Sequence, residues 1–150
     1  MNSTRWYHIS VLFPEGFQTA TDTKWFTFTQ WKGERGGSPP IALEVKRDRL
    51  RLGGTRTNAG LVPGGGDLGP LRPGRWTDIT VGMRLSPDPQ SGWVEVWLDD
   101  QVALPRTAVA TMDLVGGTVD PIYLKQGIYR DSQWQCTHVL YLADARISTP

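Results

Sequence analysis

The sequence predicts an all-β fold, a sandwich or jelly roll of two antiparallel sheets, and three observations carry that prediction. Apolar and polar residues alternate with period two in most of the ordered-looking runs. Clusters of Gly, Pro, Asp and Ser separate those runs at short intervals. No stretch carries the three-to-four-residue periodicity of a long amphipathic helix. Many short strands spaced by turns are the pattern of a two-sheet architecture.

The first predicted strand covers 5–13, with Trp6, His8 and Ser10 on one face. Pro14-Glu15-Gly16 ends it. The second covers 24–32. Strict alternation puts Trp25, Thr27, Thr29 and Trp31 on one side of it and Phe26, Phe28, Gln30 and Lys32 on the other. Gly36-Gly37-Ser38-Pro39-Pro40 then turns the chain into strands 40–46 and 49–53, which Arg47-Asp48 joins as a tight hairpin. Strands 76–85 and 93–99 follow, separated by Ser86-Pro87-Asp88-Pro89. Asp99-Asp100 leads into 101–104, and 121–130 and 136–148 complete the set. Residues 54–74, rich in Gly, Pro and Thr, read as a mobile loop or flap. Gly64-Gly65-Gly66 within it is not followed by Lys-Ser/Thr or by a helix pattern, so it is no phosphate-binding loop.

At 150 residues the whole chain, 1–150, reads as a single domain with room for a real core. A net charge of +1, spread without long blocks of one sign, gives no electrostatic case for nucleic acid. The single cysteine, Cys136, excludes an intrachain disulfide framework. No apolar run is long enough for a membrane-spanning helix, so no membrane insertion is expected. Met1 to Trp6 lacks the apolar core of a signal peptide. No cofactor is called for. No metal is expected either: there is no His-x-His, no cysteine pair and no Glu-x-x-His. Asp99-Asp100 reads as an acidic turn rather than a calcium site.

Ile122 to Arg130 is the segment with chemistry on it. Tyr123, Lys125, Gly127 and Tyr129 share a strand face, which combines a cation, a bare backbone position and a phenol. An extended anionic ligand lying across a sheet suits such a face, and the glycine permits close backbone approach.

Lys125-x-Gly127-x-Tyr129, late in an all-β chain, resembles the motif of polysaccharide lyases with a concanavalin-like β-jelly-roll: the alginate lyases, the glucuronan lyases and the heparin-lyase-I-like group. Phe28-Thr29-Gln30-Trp31-Lys32, followed by Gly37-Ser38-Pro39-Pro40, is similar to their Gln-x-His strand, with Lys32 where histidine is often found. Gly74 to Asp78 and Gly92 to Asp99 are similar to two scaffold strands of the heparin-lyase-like group. The resemblance runs from about Trp6 to Ile147 and lacks a counterpart of the family's leading strands. It implies β-elimination on a uronic-acid glycan. Gln30 then neutralises the substrate carboxylate, Tyr129 serves as acid and base, and Lys125 assists. Lys32, Arg130, Trp31, Tyr123 and His8 are the further residues expected to bind substrate.

The chemistry explains why those residue types are needed. Removing the C5 proton of a uronate builds charge beside an existing carboxylate, which must be neutralised by hydrogen bonds or cations. A free phenol titrates near 10, so a phenolate base needs cations close by. Glycoside hydrolysis fits less well. Glu95 and Asp99, the best carboxylate pair, lie four strand residues apart, roughly 13 Å, against about 5–9.5 Å for the known mechanisms. The same face of amide, cation and aromatic groups also suits a lectin-like module without catalysis, or a structural accessory domain on a phage tail or capsid. An acidic polysaccharide is the expected partner under the first two readings. The missing leading strands predict an uncovered edge, and hence a homo-oligomer or a domain docked in a larger assembly. The expected setting is extracellular or virion-associated.

Overall fold

The computed structural model describes residues 3–19, 21, 23–57 and 62–150. Twelve strands form two five-stranded antiparallel sheets and one short ribbon. In chain order they are β1 (Thr4–Leu12), β2 (Phe26–Gly33), β3 (Ile41–Lys46), β4 (Arg49–Gly53), β5 (Asp67–Pro70), β6 (Trp76–Arg84), β7 (Trp93–Leu98), β8 (Gln101–Ala108), β9 (Leu114–Val115), β10 (Thr118–Val119), β11 (Ile122–Arg130) and β12 (Tyr141–Ser148). One sheet runs β12-β1-β6-β7-β8 and the other β11-β2-β3-β4-β5, while β9 and β10 form the ribbon. The fold is the jelly-roll sandwich that the alternation predicts.

Each sheet turns its apolar alternate residues inward. Tyr7, Ile9 and Val11 of β1 and Ile79, Val81 and Met83 of β6 face Phe26 and Phe28 of β2 and Ile41, Leu43 and Val45 of β3. Aromatic rings lock the layers: Tyr7 meets Trp31 edge-on at 5.1 Å and Phe13 meets Phe28 at 5.3 Å between centroids. Both two-residue hairpins read from sequence are present. Arg47 and Asp48 have φ of 49° and 57°, and Asp99 and Asp100 have 46° and 63°. Positive φ at both central positions is the primed turn whose twist matches that of paired strands.

Two departures from strict alternation decide the functional face. In β2, Thr27 pairs with Glu44 and Thr29 with Leu43, so Phe28 is an inserted residue. The insertion shifts the phase: Thr27 and Gln30 face outward together, while Phe28, Thr29 and Trp31 turn into the core. In β11 the register shifts between Gln126 and Tyr129, and Gly127 adopts φ 139°, a conformation that favours glycine.

The expected loop at 54–74 is partly structured. Pro63–Gly66 forms a 3-10 turn and β5 pairs with β4, adding an edge strand that the glycine-rich composition concealed. Residues 58–61 lie outside the described set. The last strand starts at Tyr141 rather than at 136. On the outer face of the β1 sheet, Trp6 lies over Gly82 and packs on Trp97 at 5.4 Å, so Trp97 is a packing residue; Trp76 is exposed at the start of β6.

Candidate active site

The outer face of the β11-β2-β3-β4-β5 sheet holds the candidate site. Register fixes its layout. In one row across the strands Tyr129 lies opposite Thr27, Thr27 opposite Glu44, and Glu44 opposite Arg51. In the next row Lys125 lies opposite Gln30, Gln30 opposite Ala42, and Ala42 opposite Gly53. Tyr123 and Lys32 pair further along. An open groove of about 710 Å³ crosses these strands, with Gln30, Glu44, Arg51 and Tyr129 among its walls. A hollow of about 60 Å³ beside the β11 bulge is lined by Lys125, Gly127 and again by Gln30 and Tyr129.

Tyr129 stands half out of the surface, 55% exposed, with Trp25 against its ring at 4.7 Å. The Lys125 ammonium sits 5.8 Å from the Tyr129 ring centroid. Trp134 steadies this wall: its indole N–H donates to the Trp25 carbonyl at 3.2 Å. Gln30 is nearly buried yet reaches both cavities, and its amide makes no hydrogen bond among the described residues. A largely desolvated amide left open at the meeting of two cavities is a group available to a ligand.

Four of the residues expected to bind substrate sit elsewhere or are otherwise engaged. Trp31 is wholly buried against Tyr7, because the Phe28 insertion puts it in the core phase. Arg130 points away from the groove; it donates to the Cys136 carbonyl at 2.9 Å and to His138 Nδ1 at 2.8 Å. His8 belongs to the other sheet, where Nδ1 lies 3.2 Å from Thr80 Oγ1. The core separates it from the groove. Lys32 shares the groove's sheet face, but its ammonium donates to the Gly37 carbonyl and so holds the adjoining loop. Tyr123 is exposed on that face beside Lys32.

Sequence reasoning missed three groups. Trp25 escaped notice because tryptophan in a strand also reads as core. Glu44 and Arg51 lie in the predicted strands 40–46 and 49–53, to which the resemblance assigned no site residue. Glu44 is largely buried, and burial pushes its carboxyl above the ordinary range, an effect that the neighbouring Arg51 and Lys46 charges partly offset. His138 falls within the predicted 136–148 strand but is a buried loop residue, hydrogen-bonded through both ring nitrogens. The Arg130 N–H donates to its Nδ1, so Nε2 carries the proton and donates to the Gln18 carbonyl at 2.8 Å. Its ring also packs on Phe17, Phe26 and Trp134.

A two-sheet jelly roll with a polar, cation-bearing groove across one open face is the class of molecule these features define. Residues 1–146 match the polysaccharide lyase family model, and the chain belongs to that family. Among curated proteins none matches the sequence. Solved structures with the same fold include an endo-β-1,4-glucuronan lyase from the fungus Trichoderma reesei, at 15% identity and a TM-score of 0.74, covering 99% of this chain and 69% of that one. The alginate lyase vAL-1 from a Chlorella virus matches at 12% identity and a TM-score of 0.60, covering 100% and 72%. The alginate lyase PA1167 from Pseudomonas aeruginosa matches at 13% and 0.55, covering 99% and 66%. This chain therefore spans about two thirds of the length of these proteins.

Proposed function

We propose that this domain binds uronic-acid polysaccharide in the groove over β11, β2, β3 and β4 and cleaves it by β-elimination. The observation that carries the reading is the register pairing of Lys125 with Gln30, with Tyr129 on the same open face one row away. The Gln30 amide and the Lys125 ammonium take the substrate carboxylate and stabilise the charge that builds as C5 loses its proton. Tyr129, as phenolate, removes that proton. The C5–H electrons form the C4–C5 double bond, the C4–O bond breaks, and the new phenol returns the proton to the leaving oxygen. Tyr123 extends the binding face and Lys32 holds the loop beside it.

The test is turnover of glucuronan and alginate oligosaccharides, followed by ultraviolet absorbance of the unsaturated product. Tyr129→Phe keeps the ring and its packing on Trp25. It should lower turnover by the ~10²–10⁴-fold typical of an acid–base group, while shifting affinity by only about 1 kcal/mol, one hydrogen bond's worth. Binding of uronate polymers with no product from the wild type at any pH from mildly acidic to strongly basic would refute catalysis. It would leave a non-catalytic glycan-binding module, a reading favoured by Lys32, which stands where the resemblance has histidine and is engaged with Gly37. Absence of binding would favour a structural role such as a phage tail or capsid accessory.

The site of action is proposed to be extracellular or on a virion, where such polymers occur. No helix among the described residues is long and apolar enough to cross a membrane. The edge strand β12 exposes Tyr141, Leu142 and Ile147. An uncovered apolar edge supports self-association or docking into a larger assembly; a stable monomer at high concentration in sedimentation would overturn that part.

A further inference from the structure

Glu44 is the single carboxylate among the described residues lining a groove that also presents Lys24, Lys46 and Arg51. An acid there is out of place if every unit of the ligand is an anion. Its position is built rather than incidental. The carboxylate leans over Gly53, where any Cβ would collide with it. Gly53 has an ordinary φ, so the glycine serves the close approach and not a turn. Gln30, Ala42 and Gly53 are register partners on adjacent strands. Ala42 is wholly buried between them, and the Gln30 and Glu44 side chains both line the groove, one strand apart. Strands lie ~4.8 Å apart, close to the length of one sugar ring. A glycan crossing the strands therefore sets successive units over successive strands.

We infer that Glu44 reads the sugar next to the uronate, accepting hydrogen bonds from the hydroxyls of an uncharged unit and repelling a carboxylate. The groove then takes a glycan in which uronate alternates with an uncharged sugar, in preference to an unbroken polyuronate. This inference rests on the acidic-glycan reading above. A purely structural Glu44, held only to balance Arg51 and Lys46, would bias neither polymer. Carboxylates hydrogen-bond paired sugar hydroxyls well, since each oxygen offers two lone pairs, and like charges brought together at a binding site are a strong source of discrimination.

The test is calorimetric binding of two oligosaccharides of matched length, one all glucuronate and one alternating glucuronate with N-acetylglucosamine. The wild type should bind the alternating chain more tightly although it carries half the charge. Glu44→Gln should tighten the all-glucuronate chain by about tenfold or more, the range of one relieved like-charge contact, and weaken the alternating one. Gly53→Ala, which displaces the carboxylate without altering charge, should erode the same preference. A wild type that prefers the all-glucuronate chain, or a folded Glu44→Gln whose preference is unchanged, overturns the inference while leaving the acidic-glycan reading intact. Failure to bind either chain overturns both.

Discussion

Replacing Trp31 with alanine separates a core residue from a ligand contact. Trp31 is completely buried, and its ring joins the two sheets through Tyr7 at 5.1 Å. Truncating a buried tryptophan costs ~3–5 kcal/mol, the sum of lost transfer energy and the cavity left behind. The edge-to-face pair accounts for about 0.5–1.5 kcal/mol beyond its burial. A domain of this size loses roughly 2–4 °C of melting temperature per kcal/mol, so the expected fall is roughly 6–20 °C. That is a large part of the ~5–15 kcal/mol holding a typical domain together. Urea titration gives the stability, and oligouronate titration well below the urea midpoint gives the affinity of the folded fraction. Stability should drop and affinity should hold. A Trp31→Ala protein that keeps its melting temperature and loses glycan binding would refute the inward phase that the Phe28 insertion imposes on β2.

Lys125→Ala should weaken both binding and turnover of oligouronates, and the deficit should shrink as salt rises, because exposed charges more than about 8–10 Å apart are screened at physiological ionic strength and closer ones are progressively weakened above it. Gly127→Ala meets no atom within 4 Å, yet φ 139° disfavours any side chain; it should cost more than about 1 kcal/mol in urea unfolding. His138 gives a pH signature. Burial chiefly, with Arg130 beside it, holds its imidazole below the ordinary range against a smaller opposing effect of the Gln18 carbonyl. The unfolded chain then takes up a proton near pH ~6.5 that the folded chain refuses. This group's contribution is full above that pH and is lost as pH falls below it. In urea melts across this range His138→Asn should lower stability above pH ~6.5 and flatten the acid-side slope; an unchanged slope counts against the buried neutral ring.

The sequence made the strands legible because period-two burial leaves a direct trace in residue order, and Arg47-Asp48 and Asp99-Asp100 marked two hairpins to the residue. What it hid were single-residue insertions. Nothing in Phe26-Thr27-Phe28-Thr29-Gln30-Trp31 marks Phe28 as extra. One insertion is enough to move Trp31 from the ligand side to the core and to bring Thr27 and Gln30 onto one face. Arg130 and His138 were hidden for another reason. Their partners, the Gln18 carbonyl and the Cys136 carbonyl, are backbone groups of loops, and backbone acceptors leave no mark on side-chain identity.

The same distinction explains which half of the groove was visible. Lys125, Gly127 and Tyr129 lie close together on one strand, so their relation could be read along the chain even though the register shifts after Gln126. Glu44, Ala42 and Gly53 matter through a relation across strands, which exists only once β2, β3 and β4 are in register. The proposed chemistry is thus assigned along β11, and the proposed discrimination between neighbouring sugars across the sheet. The two should separate experimentally. Changes on β11 should alter turnover on every accepted glycan, and changes at Glu44 or Gly53 should alter which glycan is accepted. If Glu44→Gln lowered turnover on both oligosaccharides equally and left their relative affinities untouched, that division between strand and row would be wrong, and Glu44 would belong with Tyr129 in the chemistry itself.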